Sequence, residues 1–128
     1  SKSVLDIIKK IEDRVRYNTY DSVNIRREKD FDTEMKNALE FINNDFFGLE
    51  IDLDAIPNIA SSAMTLSGYS IEQVRQFISF FAKNKNAAYL HICEGAPDLG
   101  EEKNNHLIGK LIGYLITDFI KANSASIN

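Results

Sequence analysis

Apolar residues fall at helical spacing in four stretches of this chain and alternate with polar ones in a fifth. Val4, Ile7, Ile8 and Ile11 form a stripe that predicts a helix over residues 3–14, with Ser3 as its cap and Asp6 near its positive end. Met35, Ala38, Leu39 and Ile42 predict a second helix over 32–43. Val74, Phe77, Ile78, Phe80 and Phe81 predict a third over 70–83, opened by Ser70 with Gln73 three residues on, the spacing of a capping box. A broad apolar face of Ile108, Leu111, Ile112, Leu115, Ile116 and Phe119 predicts the last helix, over 105–121.

Between the helices lie three candidate strands. "VRYNTY", residues 15–20, is β-branched and aromatic. In 47–54, Leu49, Ile51 and Leu53 alternate with Glu50, Asp52 and Asp54, which puts three aliphatics on one face and three carboxylates on the other. "AAYLHICE", residues 87–94, is the third. The order α-β-α-β-α-β-α, with helix-length spacers, implies an α/β chain with helices packed on a parallel sheet. The stretch "AIPNIASSAMTLSG" after Asp54 reads as a long irregular loop, of the kind that is functional or mobile in compact domains. "GAPDLGEEKNN" reads as a second loop. Gly109 and Gly113 imply close packing against the last helix.

At 128 residues the chain is long enough for one domain with a sizeable core. A net charge of −4, with the basic residues scattered, argues against nucleic acid or an anionic membrane as partner. One cysteine, Cys93, rules out an internal disulfide, so a reducing, cytoplasmic compartment is the expectation. No apolar run approaches the roughly 18 residues of a membrane span.

The chemistry lies in carboxylates at strand ends, where ligands of open α/β sheets sit. Asp52 and Asp54, two apart on a strand, are expected on one side and in one small volume, where a divalent cation would keep both ionised. Oxygen-rich sites suit Mg²⁺, Mn²⁺ or Ca²⁺. The bland alternative is a solvated strand face, and Glu50, deeper in the strand, fits that alternative better. Glu94 either begins a loop or serves as a fixed anion for a planar cation such as a guanidinium. His91 is expected to pack in the core, His106 to lie on the surface, and Cys93 to be a buried, inert thiol.

Taken together, the strand "LEIDLDAI", the small-residue loop ending "TLSGYS", the capped helix, the strand "AAYLHICEGAP" and the long last helix resemble the C-terminal part of the ureohydrolase family, the arginases, agmatinases and formimidoylglutamases. The resemblance implies a three-layer α-β-α fold with a parallel sheet, of which this chain is the C-terminal part. It implies that Asp52 and Asp54 are metal ligands to a pair of Mn²⁺ ions. It implies that Glu94, three residues before Pro97, is the catalytic and substrate-binding glutamate that orients the amidine, with Thr65 as a loop threonine beside it. The loop "AIPNIASSAMT", His91 where an aspartate is common, and Gly95-Ala96 in place of Val-Asn depart from the family pattern, and a divergent formimidoylglutamase-like member fits best.

The family's other metal-ligand motifs, G-G-x-H and D-A-H-x-D, are not in the chain, and two aspartates fall short of the roughly six ligands that each ion wants. The chain therefore reads as a C-terminal portion of a longer hydrolase of linear amidines (formimidoylglutamate, agmatine or arginine), itself without turnover. Unpaired strand edges lead to an expectation of self-association or a homo-oligomer. The competing reading is a non-catalytic α/β binding or regulatory module with an acidic metal pocket, such as a receiver-like domain; a plain interaction domain is a third.

Overall fold

In the computed structural model, which describes residues 2–11, 13–99 and 105–125, the elements run α1 (Lys2–Lys10), α2 (Phe31–Ile42), β1 (Phe47–Asp52), α3 (Ile71–Ala82), β2 (Ala87–Cys93) and α4 (Asn105–Ala125). The chain divides into two units, Ser1–Asn43 and Asn44–Asn128. Residues 100–104 of the second expected loop lie outside the described residues. Among the described residues, no helix is long and apolar enough to cross a membrane.

The first unit departs from expectation at two points. Helix α1 already includes Lys2, so Ser3 lies within it rather than just before it. The segment 15–20 forms no strand; it leads into a π-helical turn, Asp21–Ile25. A strand needs a neighbour to pair with, whereas at the end of this segment the Thr19 carbonyl is satisfied locally. The Thr19 carbonyl accepts from the amides of Ser22 and Val23 and from the Ser22 hydroxyl at 2.8 Å. Strand propensity is a preference for a pleated, half-buried surface and yields when none is present. Helix α2 is capped by Asp30, whose carboxylate accepts from the Thr33 amide at 2.9 Å and the Thr33 hydroxyl at 2.8 Å. It ends at Asn43, which adopts a left-handed conformation.

The second unit is built on β1 and β2, paired in parallel from Phe47↔Ala87 to Asp52↔Cys93, with an irregularity that sets Gly48 opposite Tyr89. The alternation read from the sequence decides the rest. Leu49, Ile51 and Leu53 are buried, and Ile51 and Leu53 pack beneath α3 and α4, where Ile56, Val74, Ile78, Ile108, Leu111 and Leu115 complete the core. Ser70 caps α3 in a full capping box with Gln73. Arg75 then straps α3 to α4, its Nε and Nη2 donating to the two oxygens of Asp118 at 2.6 and 3.1 Å while its guanidinium lies over the Tyr114 ring. Gly109 and Gly113 are exposed, and among the described residues no atom beyond their own helix backbone and chain neighbours lies within 4 Å of where a Cβ would sit on either. The close packing they implied is not seen among the described residues, because the core contacts of α4 run along Ile108, Leu111 and Leu115, on a different stripe.

Leu115 is fully buried, so Leu115→Ala removes side-chain contacts and leaves a cavity, and is expected to destabilise by about 2–5 kcal/mol. Ser70→Ala, losing the capping box, costs about 1 kcal/mol. Urea unfolding checks both, and equal midpoints for Leu115→Ala and wild type would contradict the assigned core. The Thr33 amide and hydroxyl hold the Asp30 carboxyl below the usual aspartate range. The cap is therefore fully formed above that range and weakens as pH falls through the lowered value. In Thr33→Val the Asp30 carboxyl is expected to titrate at higher pH than in wild type, read by carbon NMR of the carboxyl group.

Candidate functional site

At the carboxyl end of β1 the strand stops at Asp52, whose Oδ1 accepts from the Asp54 amide at 2.9 Å. That bond turns the chain into a 3-10 turn, Leu53–Ala55. Asp54 is therefore off the strand, and the strand geometry expected to bring both carboxylates to one side does not apply. The two aspartates are joined through carboxylate and backbone instead.

The loop that follows is ordered by backbone contacts. Tyr69 N donates to the Ala55 carbonyl at 2.8 Å, and Asn58, in the left-handed region, donates to the Thr65 carbonyl at 3.0 Å. Gly68 is required here, because a Cβ would fall 2.2 Å from the Ala55 carbonyl oxygen. Farther along, Ser61 pairs in antiparallel fashion with Gly95 just past β2: Ala96 N donates to the Ala60 carbonyl at 2.9 Å and Ser62 N to the Glu94 carbonyl at 3.1 Å.

This pairing brings the ends of β1 and β2 together. Ser62 Oγ lies 3.1 Å from Asp54 Oδ2 and 2.5 Å from Glu94 Oε2, while Ala63 N donates to Asp54 Oδ1 at 2.9 Å. The Ser61 hydroxyl, which also lies 3.2 Å from the Ile59 carbonyl, together with the Ala63 amide and the Ser62 hydroxyl, holds the Asp54 carboxyl below the usual range. Glu94 is exposed and sits at φ 64°, a left-handed conformation that non-glycine residues adopt rarely and that clusters at functional sites.

Of the residues expected at the site, Asp54 and Glu94 are brought together, and Asp52 lies next to them at the end of its strand. The Thr65 hydroxyl serves its own loop, donating to the Ser67 carbonyl at 2.9 Å. Ser62 is the loop hydroxyl that meets Glu94, and it was not among the expected residues. The run of small residues marked the loop but singled out no position in it. Cys93 is half-buried rather than buried; desolvation, and then the negative charges of Asp52 and Glu94, push its thiol up, away from the reactive thiolate.

The outer face of the sheet corrects another expectation. His91 is not a core residue; it lies opposite Glu50, and its Nδ1 hydrogen-bonds with Glu50 Oε2. The Tyr89 hydroxyl donates to Glu50 Oε1 at 3.0 Å. His91 first and Tyr89 second hold the Glu50 carboxyl below its usual range. Tyr89 reaches Glu50 because its ring lies across Gly48, where an added Cβ would come within 2.0 Å of it.

Among the described residues, no group of three or more histidine, cysteine or acidic side chains is placed to hold a metal ion. Both oxygens of Asp54 are engaged by Ser62 and Ala63, and one oxygen of Asp52 by the Asp54 amide. Arranged this way, these residues do not fit a two-ion cluster.

Against solved structures, a formimidoylglutamase from Bacillus subtilis aligns over 98% of this chain and 39% of its own, with a TM-score of 0.81 and 21% identity. The fold is arginase-like. An arginase from Bacillus subtilis aligns over 94% of the chain at TM-score 0.77 and 17% identity. The Helicobacter pylori arginase aligns over 96% at 0.76 and 17%. The chain spans 39–40% of the length of these three structures. No protein-family model and no curated protein sequence matches it. The arginase-like α/β fold and parallel sheet inferred from the sequence are thus present.

Gly48→Ala is expected to push the Tyr89 ring aside and break its bond to Glu50 with little change in stability, since only the far end of one side chain has to move. Ring-proton shifts of Tyr89 check this; unchanged shifts would contradict the close packing described.

Proposed function

We propose that this chain carries the carboxylate half of a ureohydrolase-type site, whose complete form hydrolyses a C–N bond of a linear amidine of the formimidoylglutamate, agmatine or arginine class. The observation that carries this reading is the convergence of Asp54 and Glu94, from the ends of adjacent parallel strands, on one serine hydroxyl. The similarity to formimidoylglutamase and arginase structures supports the same class. In this reading Asp52 and Asp54 belong to the ligand set of a complete two-Mn²⁺ site, which the described residues of this chain do not form by themselves. Glu94 receives the planar cationic carbon group by charge-assisted hydrogen bonds and fixes its orientation. Thr65 stays as a substrate-side loop residue. The complete protein is a cytoplasmic homo-oligomer, and the 128-residue chain alone has no turnover.

A second reading is favoured by a specific contact. Asp54 gives both of its oxygens to the loop, as it would in a non-catalytic α/β module where it served only to hold that loop.

The two readings differ in their response to Mn²⁺. The proposal predicts paramagnetic broadening of the amide signals of Asp52, Asp54 and Ala63 on adding Mn²⁺, lost in Asp52→Asn. Broadening confined to other acidic residues favours the second reading. With Mn²⁺ and arginine, agmatine or formimidoylglutamate, release of urea or formamide by the chain alone would contradict its assignment as half a site.

A further inference from the structure

The outer face of the sheet holds side chains that the carboxyl-end site does not use. Register sets three pairs along it: Gly48 with Tyr89, Glu50 with His91, and Asp52 with Cys93. Glu50 lies between two partners. Its Oε1 accepts from the Tyr89 hydroxyl at 3.0 Å, and its Oε2 bonds with His91 Nδ1. A carboxylate at neutral pH only accepts, so Nδ1 carries the imidazole proton and Nε2 carries the lone pair. The His91 side chain is 58% exposed, and among the described residues Nε2 has no hydrogen-bond partner. The backbone also serves this arrangement. The pairing shifts between Phe47 and Gly48, and the glycine leaves the space across which the Tyr89 ring reaches Glu50.

An imidazole held by a carboxylate at Nδ1 and open at Nε2 is set up as a base or a nucleophile. No serine or threonine stands among the six outer positions, and the Cys93 thiol is turned to the Ile51 carbonyl at 3.7 Å. The reacting atom is therefore Nε2 itself. The geometry points to His91 as an acyl acceptor, with Glu50 and Tyr89 as its positioning residues. The Nε2 lone pair attacks the carbonyl carbon of an activated acyl donor and forms the N–C bond. The bond from that carbon to the leaving group breaks, and the leaving group departs with the electron pair. His91 is left acylated at Nε2 and protonated at Nδ1, a cation that the Glu50 carboxylate pairs. Water then attacks the acyl carbon, releasing the acid and a proton and restoring the imidazole. Glu50 and Asp52 are exposed on this face and no lysine or arginine stands among its six positions, so neutral acyl donors are favoured over anionic phosphoryl donors. None of this depends on the carboxyl-end acids binding metal.

His106, the chain's other histidine, is exposed and is the internal reference. The test treats the whole chain with diethyl pyrocarbonate at neutral pH and follows both histidines by peptide mass spectrometry. Because water screens the Glu50–His91 pair, the expected advantage of His91 over His106 is modest, about fivefold in rate. In Glu50→Gln the His91 rate falls to that of His106 while His106 is unchanged; Tyr89→Phe lies between. Nitrogen NMR of the ring reads the Nδ1–H form in wild type, which a purely structural pair of surface residues would not require. With 4-nitrophenyl acetate, release of 4-nitrophenolate drops in His91→Gln and persists in His106→Gln. Equal rates at the two histidines, an Nε2–H ring, or a His91 rate unchanged by Glu50→Gln would overturn the proposal. Phosphoramidate modifying His91 more selectively than diethyl pyrocarbonate does would overturn the choice of acyl donors.

Discussion

Burial of one face of a two-stranded parallel sheet is the constraint from which the second unit follows. Ile51 and, just past the strand, Leu53 are removed from water by α3 and α4 on their side, and the fully buried Ile78 and Leu115 are the residues that hold the helices there. With that face fixed, the pleat turns Glu50 and Asp52 to the opposite side. The pairing of Asp52 with Cys93 then ends both strands at the same level, so the acids that follow them emerge side by side. The alternation that builds the core thus fixes the side on which Asp52 lies, and the register fixes where both strands end.

The helices, the two strands of the sheet and the capping box were legible because each rests on local periodicity or a short-range signal. The supposed strand at 15–20 was not, because Thr19 and Ser22 offered a local alternative to pairing that β-propensity does not register. His91 shows a similar limit. Flanked by Leu90 and Ile92, it looked like a core residue, but its face is decided by register, and register puts it opposite Glu50 on the outer side. Gly109 and Gly113 allow close packing without requiring it.

At the site, residue types were readable and geometry was not. Asp52, Asp54 and Glu94 stood out as acids at strand ends. The 3-10 turn that takes Asp54 off the strand depends on a side chain accepting from a backbone amide two residues on, and the meeting of Ser62 with Glu94 depends on a bridge across 34 positions, Ser61 to Gly95. Such contacts have no periodic signature. The selection of Ser62 in place of Thr65 as the partner of Glu94 follows from that bridge and from nothing in the loop's composition.

The most direct measurement is a crystal of the chain soaked in Mn²⁺, with diffraction recorded at the manganese absorption edge. An anomalous peak against the carboxylates of Asp52 and Asp54 is the predicted result. Absence of a peak there, with the contacts from Ser62 to Asp54 and Glu94 unchanged, would contradict the assignment of this acid pair to a ureohydrolase-type metal site.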